Sequence, residues 1–342
     1  MRNQPSLPEL LQELTEESAS KVKLAITDID GVLRGKLISL EKFRSVAEKG
    51  FGFCDVVFGW DAGDQAYDNG RYTGWHTGYP DALAVIDIGT FRRVPWEGDL
   101  PFFLADFKEA SAGQGNTLAS GGLAKGDALP VCPRGLLKKM IRQCEEAGYK
   151  AYFSQEFEWF NFLGRGGEVA AEDYRKLPPM SQGMFGYSIL RASQGSAYFQ
   201  DLFDMLDKFG VPLEGLHTET GPGVYEAAIL YAEALEAADR AVLFKSGVKE
   251  IAHRHGVLPT FMAKFSESLP GCSGHVHQSL WSADGSQNLF YDADTATGIS
   301  ALMESYIAGQ LHCLPHILPL YAPTVNSYKR LVEGAWAPTT VT

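Results

Sequence analysis

The run Ser154-Gln155-Glu156-Phe157-Glu158-Trp159-Phe160 constrains this chain more than any other stretch. It lies inside an aromatic-rich segment, Tyr149 to Phe162, that reads as a buried β-strand. Side chains alternate faces along a strand, so Glu156 and Glu158 share one face while Phe157 and Trp159 take the other. Two carboxylates side by side over a core strand repel one another and resist desolvation. Positive charge has to be supplied between them.

The 342 residues exceed what one hydrophobic core serves, which predicts two domains. A net charge of -12 argues against nucleic acid or an anionic membrane as partner and is compatible with bound metal ions. The N-terminal stretch is polar and acidic, without an apolar core of signal-peptide length. No apolar run approaches the ~18 residues of a membrane span. The five cysteines are scattered, odd in number and form no CxxC, a pattern of reduced thiols that predicts a cytoplasmic protein.

Taken in order, Pro8 to Ser18 reads as an amphipathic helix, followed by strands Val22–Ile29 and Val32–Ile38 about an Asp30-Gly31 turn. Ser39 is placed to cap a helix running to Lys49. Further strands around Phe53–Phe58, Ala82–Ile88 and Phe102–Phe107 complete a small α+β domain. Gly59 to Tyr79, dense in Gly, Asp, Tyr and Trp, reads as a long ordered loop, and Ala110 to Leu129 as a linker. Pro133 opens a helix with Leu136, Leu137, Met140 and Cys144 on its predicted buried face. Gly164 to Gln194 looks irregular and Ser196 to Phe209 helical. A hairpin, Val211–Glu219 and Gly223–Leu230, precedes an Ala-rich helix from Tyr231 to His255. Strands Val257–Lys264 and Gly274–Trp281, then a helix from Ile299 to about His312, follow.

Glu219 and Glu226 flank the hairpin turn and can reach the place occupied by Glu156 and Glu158. His275-Val276-His277 repeats the alternating pattern in a glycine-rich segment that permits close ligand approach. Four carboxylates and a histidine form a hard donor set suited to Mg²⁺ or Mn²⁺; without cysteine ligands or an HExxH helix, zinc is the weaker choice. There is no Walker motif, Rossmann glycine fingerprint or Gly-x-Ser-x-Gly elbow.

QEFEWF, LHTETGPGVYEAAI, FKSGVKEIAHRHGVLPTFMAKF, PGCSGHVHQSL and NSYKRLVEGAWAP resemble, in order and spacing, the signature blocks of the glutamine synthetase family. The resemblance spans nearly the whole chain and is most specific after residue 130. It implies a small N-terminal β-grasp domain with linker over residues 1–125. Residues 126–342 would form a catalytic α/β domain on a curved antiparallel sheet. It also implies a homo-oligomer of stacked hexameric rings with active sites between subunits. The implied reaction is ATP-dependent activation of the glutamate γ-carboxylate as an acyl phosphate, followed by attack of ammonia or an amine.

By position, Glu158, Glu219 and Glu226 match the ligands of one divalent ion, and Glu156 and His275 those of another. Gly271 matches the glycine beside substrate glutamate, and Arg330 the arginine that pairs with its carboxylate. Glu214, His277 and Ser279 fall at nucleotide-contact positions. Trp336 stands where ammonia-using members carry a glutamate, and similar replacements occur in the family's γ-glutamyl-amine ligases, which join glutamate to polyamines, ethanolamine or other primary amines. An indole cannot act as a base, but it can wall an alkyl chain or stack on a cation. The family's ammonium-binding aspartate maps into FGWDAGDQAYDN, with Asp61 or Asp64 as candidates. An ordinary glutamine synthetase with a rebuilt ammonium site, using Glu333, is the alternative, and a noncatalytic relative a third reading. Thr342 stops where the family continues, so a native chain longer by on the order of a hundred residues is expected.

Overall fold

A computed structural model describes residues 5–109, 127–171, 173–174 and 177–337. Most of the expected linker, with the expected boundary at residues 125 and 126, lies outside them. The chain divides into two units, Met1–Gln143 with Lys208–Gly210, and Cys144–Asp207 with Val211–Thr342.

The first unit contains α1 (Leu7–Glu16), β1 (Lys21–Thr27), β2 (Leu33–Ser39), α2 (Leu40–Val46), β3 (Phe51–Cys54), β4 (Asp81–Ile86), β5 (Arg92–Val94) and β6 (Leu100–Lys108), and most of α3 (Pro133–Glu146). Its sheet runs β2-β1-β6-β4-β3, with β5 also paired to β6. All its pairings are antiparallel except that of β1 with β6. Leu10, Leu14, Phe43, Phe103 and Phe107 fill the core beneath the helices. Ser39 caps α2 as its position predicts, its Oγ accepting from the Lys42 N–H. The expected strand at Phe53–Phe58 ends at Cys54. The next four residues form a 3₁₀ turn around buried Asp55, which accepts a 2.6 Å bond from Thr73.

α3 departs from its predicted face. Leu136 and Met140 are half exposed, whereas Arg134 and Gly135 are buried. The reason is electrostatic and steric. Arg134 Nη1 donates to Asp87 at 2.8 Å and to Asp106 at 2.9 Å, and Lys138 pairs with the same two carboxylates. A Cβ at Gly135 would stand 2.8 Å from the Ala128 Cβ, so the missing side chain lets the helix approach.

The second unit is organised on β7 (Tyr149–Leu163). Along the chain follow α4 (Gly166–Ala171), α5 (Ile189–Gln194), α6 (Ser196–Lys208), β8 (Leu213–Thr218), β9 (Val224–Ile229), β10 (Ala232–Glu233) and α7 (Ala234–Arg254). β11 (Val257–Thr260), β12 (Gly274–Ser282), α8 (Ala301–Tyr321) and α9 (Val325–Arg330) complete it. Every sheet pairing is antiparallel. β12 and β11 succeed one another along one edge of β7, and β10 and β9 along the other; β8 pairs with β9. Behind the sheet, Phe157 stacks on Phe244 of α7 at 5.6 Å, and Trp159 packs edge-on against Tyr225 and Phe244.

α8 outruns its expected end near His312, continuing past Pro315 and Pro319 to Tyr321. Each proline removes one amide donor, and their spacing of four residues puts both losses on one side of the helix, so the other side carries it on. No side chain of α8 is buried. Among the described residues no helix is long and apolar enough to cross a membrane.

In the first unit, burial works to raise the Asp87 carboxyl, but Arg134 and Lys138 outweigh it and hold it below its ordinary value of 3.8. A carboxyl depressed on folding stabilises above its unfolded pKa, and that contribution disappears as pH falls through the folded value. Asp87→Asn is therefore expected to cost about 1–3 kcal/mol near neutrality. The difference in Tm from the parent should shrink as pH drops below 3.8; a difference constant with pH would contradict this.

Candidate active site

Strand register assembles the site. On β7, Glu158 lies opposite Glu226 of β9, and Glu226 lies opposite His217 of β8, so three strands contribute one row of side chains. One alternation along β7, Glu156 lies opposite His275 of β12. Glu219 follows the end of β8, where its N–H donates to the Val224 carbonyl at 2.9 Å and closes the hairpin. Its Oε1 accepts from the Thr220 N–H at 2.6 Å.

The two histidines of GHVHQS supply hydrogen-bonding partners for the acidic strand. His275 Nδ1 and His277 Nε2 each lie 3.2 Å from Glu156 Oε2. Burial acts to raise the Glu156 carboxyl, but the bonds from His277 and His275 outweigh it and leave it below the usual range. Glu226 moves the other way: burial, then the charge of Glu158, pushes its carboxyl up. Glu158 turns elsewhere, its Oε2 accepting from the Ser273 N–H at 2.5 Å.

Donor atoms of Glu156, Glu226 and His275 lie within 4.8 Å of one another, as do those of His217, Glu219 and Glu226. Carboxylate and imidazole donors with one member under electrostatic load are what a hard divalent cation relieves. The residues therefore fit such an ion at each group, with Glu226 common to both. The grouping differs in detail from the expected sets: His217 joins Glu219 and Glu226, and Glu226 also reaches Glu156 and His275.

His217 and Tyr187 were not singled out from sequence. His217-x-Glu219 repeats the alternation of Glu156-x-Glu158, so a signal was there. Tyr187 had none, lying in a stretch read as irregular. Its ring stacks on His217 at 4.4 Å, and its backbone is left-handed, with φ of 54°. Burial, then the charges of Glu219, Glu226, Glu156 and Glu158, pushes its phenol up.

Gly271 and Arg330 come together. A Cβ on Gly271 would lie 2.4 Å from the Ala263 carbonyl oxygen and 2.8 Å from Arg330 Cγ and Cδ. α9 is pinned beside this segment by Asn326, whose side chain bonds both the N–H and the carbonyl of Lys264 at 2.8 Å. Arg330 Nη2 donates to the Trp336 carbonyl at 3.3 Å, while the indole is 93% exposed on left-handed backbone. Glu214 is exposed at the bulge between Leu213 and Gly215, and Ser279 Oγ accepts from Trp281 Nε1 at 3.0 Å. Asp64, in the first unit, is ion-paired to Arg34 at 2.5 Å; the Asp61 carboxylate is taken up by the Gly63 and Gln65 N–H groups.

Gly271→Ala is expected to lower stability by about 1–3 kcal/mol through overpacking; an unchanged Tm would show that Arg330 gives way freely. Because Glu226 belongs to both donor groups, Glu226→Gln should weaken Mn²⁺ binding in calorimetry by more than the roughly tenfold loss of an outer partner. Parental affinity in that variant would remove Glu226 from the ligand set.

The family model for the glutamine synthetase catalytic domain matches residues 130–342. Type-1 glutamine synthetase 2 of Dictyostelium discoideum is 50% identical over 97% of this chain, which spans 61% of that protein. Glutamate–isopropylamine ligase of a Pseudomonas species is 34% identical over 95% of this chain, which spans 68% of it. Among solved structures, one titled "Apo GmaS without ligand" superposes with a TM-score of 0.77 at 24% identity, over 95% of this chain and 69% of that one, a likeness of fold. With the catalytic-domain match over residues 130–342 and relatives along nearly its whole length, this chain belongs to the glutamine synthetase family, and its second unit has that family's mixed α/β fold with a curled sheet.

Proposed function

We propose that this protein is an ATP-dependent ligase that forms a γ-glutamyl amide from glutamate and an amine other than ammonia, through a γ-glutamyl phosphate. The observation that carries the ligase reading is the double donor set on one sheet face, with Gly271 against Arg330 in the same unit. Glu156, Glu226 and His275 would hold one Mg²⁺ or Mn²⁺, and His217, Glu219 and Glu226 a second, with Glu158 beside them. Bound there, such ions would screen the negative charge of a transferring phosphoryl group. Arg330 offers a planar fork for the glutamate α-carboxylate, and the bare Gly271 leaves the substrate backbone room. Glu214, His277 and Ser279 are proposed on the nucleotide side. A γ-carboxylate oxygen takes the terminal phosphoryl group of ATP, and ADP is released. The amine nitrogen then attacks the γ-carbon, the bond from that carbon to the phosphate oxygen breaks, and phosphate departs, the proton lost by the nitrogen passing to phosphate or water.

The amine preference rests on Trp336. Its indole supplies no base, and its exposed face is suited to cover an alkyl chain. That a relative is named for isopropylamine supports this reading. Asp64 of a neighbouring subunit is proposed on the amine side, as the family resemblance implies, with Arg34 holding its carboxylate. For the first unit we propose a β-grasp domain, supported by the β1–β2 hairpin, the following helix and the parallel β1–β6 pair. A cytoplasmic homo-oligomer of two hexameric rings completes the proposal.

The test is phosphate release by the native protein with ATP, Mg²⁺ and glutamate across ammonia, methylamine, ethanolamine, isopropylamine and putrescine. An alkylamine is expected to exceed ammonia in kcat/KM, and Trp336→Glu to lower that preference by about tenfold or more, the scale on which one apolar contact discriminates. Clear preference for ammonia in the parent would instead make this an ordinary glutamine synthetase that relies on Glu333 or Asp64.

A further inference from the structure

Behind the acidic face lies a buried amide that the proposed chemistry does not use. Asn161 is fully buried near the end of β7, two residues from Trp159 on the same strand face. Its Oδ1 accepts from Trp159 Nε1 at 2.9 Å and from the Tyr198 hydroxyl at 3.0 Å. An indole N–H can only donate, which fixes the amide orientation: the oxygen faces Trp159, and the NH₂ is left to point the other way. There it donates to the Gly223 carbonyl at 3.0 Å, and the Asn161 backbone N–H donates to the same oxygen at 2.8 Å.

Gly223 is the last residue of the turn between Glu219 and Glu226. It is left-handed, with φ of 74°, and a Cβ there would stand 2.5 Å from the Asn161 carbonyl oxygen. The same Asn161 carbonyl accepts from the Met180 N–H at 2.9 Å. One residue thus grips the turn through two donors, and a glycine gives it the space to do so. Within the loop, the Glu219 N–H donates to the Val224 carbonyl, the Val224 N–H to the Gly221 carbonyl and the Thr220 N–H to Glu219 Oε1. Glu226 is held by the β7 ladder, but Glu219 hangs on the turn.

We propose that Asn161 is a positioning residue for the metal-binding face. It fixes the hairpin turn so that Glu219 is presented with His217 and Glu226 as one donor group. This rests on the metal reading given above. The amide never touches an ion; it acts by removing the freedom of the loop that carries Glu219, as outer-shell partners generally orient ligands. An apolar side chain here would orphan the Trp159 N–H and the Tyr198 hydroxyl, so a purely structural role costs stability alone, whereas the positioning role costs ion binding as well.

The experiment is Mn²⁺ titration of the parent and of Asn161→Leu, read by calorimetry or paramagnetic resonance, beside Tm and circular dichroism. The leucine chain is expected to weaken one class of Mn²⁺ site by about tenfold or more and the Glu156–His275 class by much less. Gly223→Ala, which pushes the turn away from the same amide while leaving Trp159 and Tyr198 partnered, is expected to give the same selective loss. It decides the matter should the leucine chain not fold. A folded variant that binds both ions as the parent does, with only Tm lowered, overturns the positioning role. A parent chain that binds no Mn²⁺ overturns the metal reading first, and this inference with it.

Discussion

Charge crowding on one sheet face is the constraint on which the rest of the second unit depends. Glu156, Glu158, Glu219 and Glu226 repel one another wherever the chain brings them together, and the fold has to meet that cost with rigid geometry and hydrogen-bonding partners. A fifteen-residue strand provides the rigidity. Four other strands pair along its two edges: Glu156 is held by ladders on both sides, and Glu158 by the β9 ladder on one side and by its N–H on the Ser273 carbonyl on the other. The histidines of β12 provide the partners, and they converge on Glu156 alone. That leaves Glu226 loaded by its neighbours, with its carboxyl raised.

The opposite face of the same strand explains why such a front can exist. Phe157 and Trp159 drive apolar area against Phe244, Phe261 and Tyr225, in stacked and edge-on pairs that favour one arrangement of the sheet over α7. Lys245 spans this layer, its amine 4.9 Å above the Phe157 ring, and burial lowers its pKa. Each aromatic on the back anchors the backbone on either side of a front-face glutamate. Packing and electrostatics are therefore coupled through the two-residue period of one strand.

The first unit shows the same rule on a smaller scale. Its third helix was expected to bury leucines; instead it buries an arginine, because Asp87 and Asp106 sit beneath it. Leaving buried Asp106 and half-buried Asp87 unpaired costs more than exposing Leu136 and Met140. Hydrophobic periodicity carries no information about which acids lie on the sheet below, so the sequence pattern pointed to the wrong face.

What the sequence determined by itself is local and periodic. The alternation Glu156-x-Glu158 and His275-x-His277 told which side chains share a face, and Ser39 marked the start of a helix. The signature blocks, most specific after residue 130, told the family, because their order and spacing can be read directly along the chain. The tertiary structure decided what depends on register between distant strands. It placed Glu226 opposite both Glu158 and His217, brought Tyr187 onto His217, and set Arg330 against Gly271. It also carried α8 through two prolines and turned Asn161 toward Gly223. Pairing energies between segments tens of residues apart have no signature in either segment alone, and the closing of those ladders is what makes the separate patterns of β7, β8, β9 and β12 into one face.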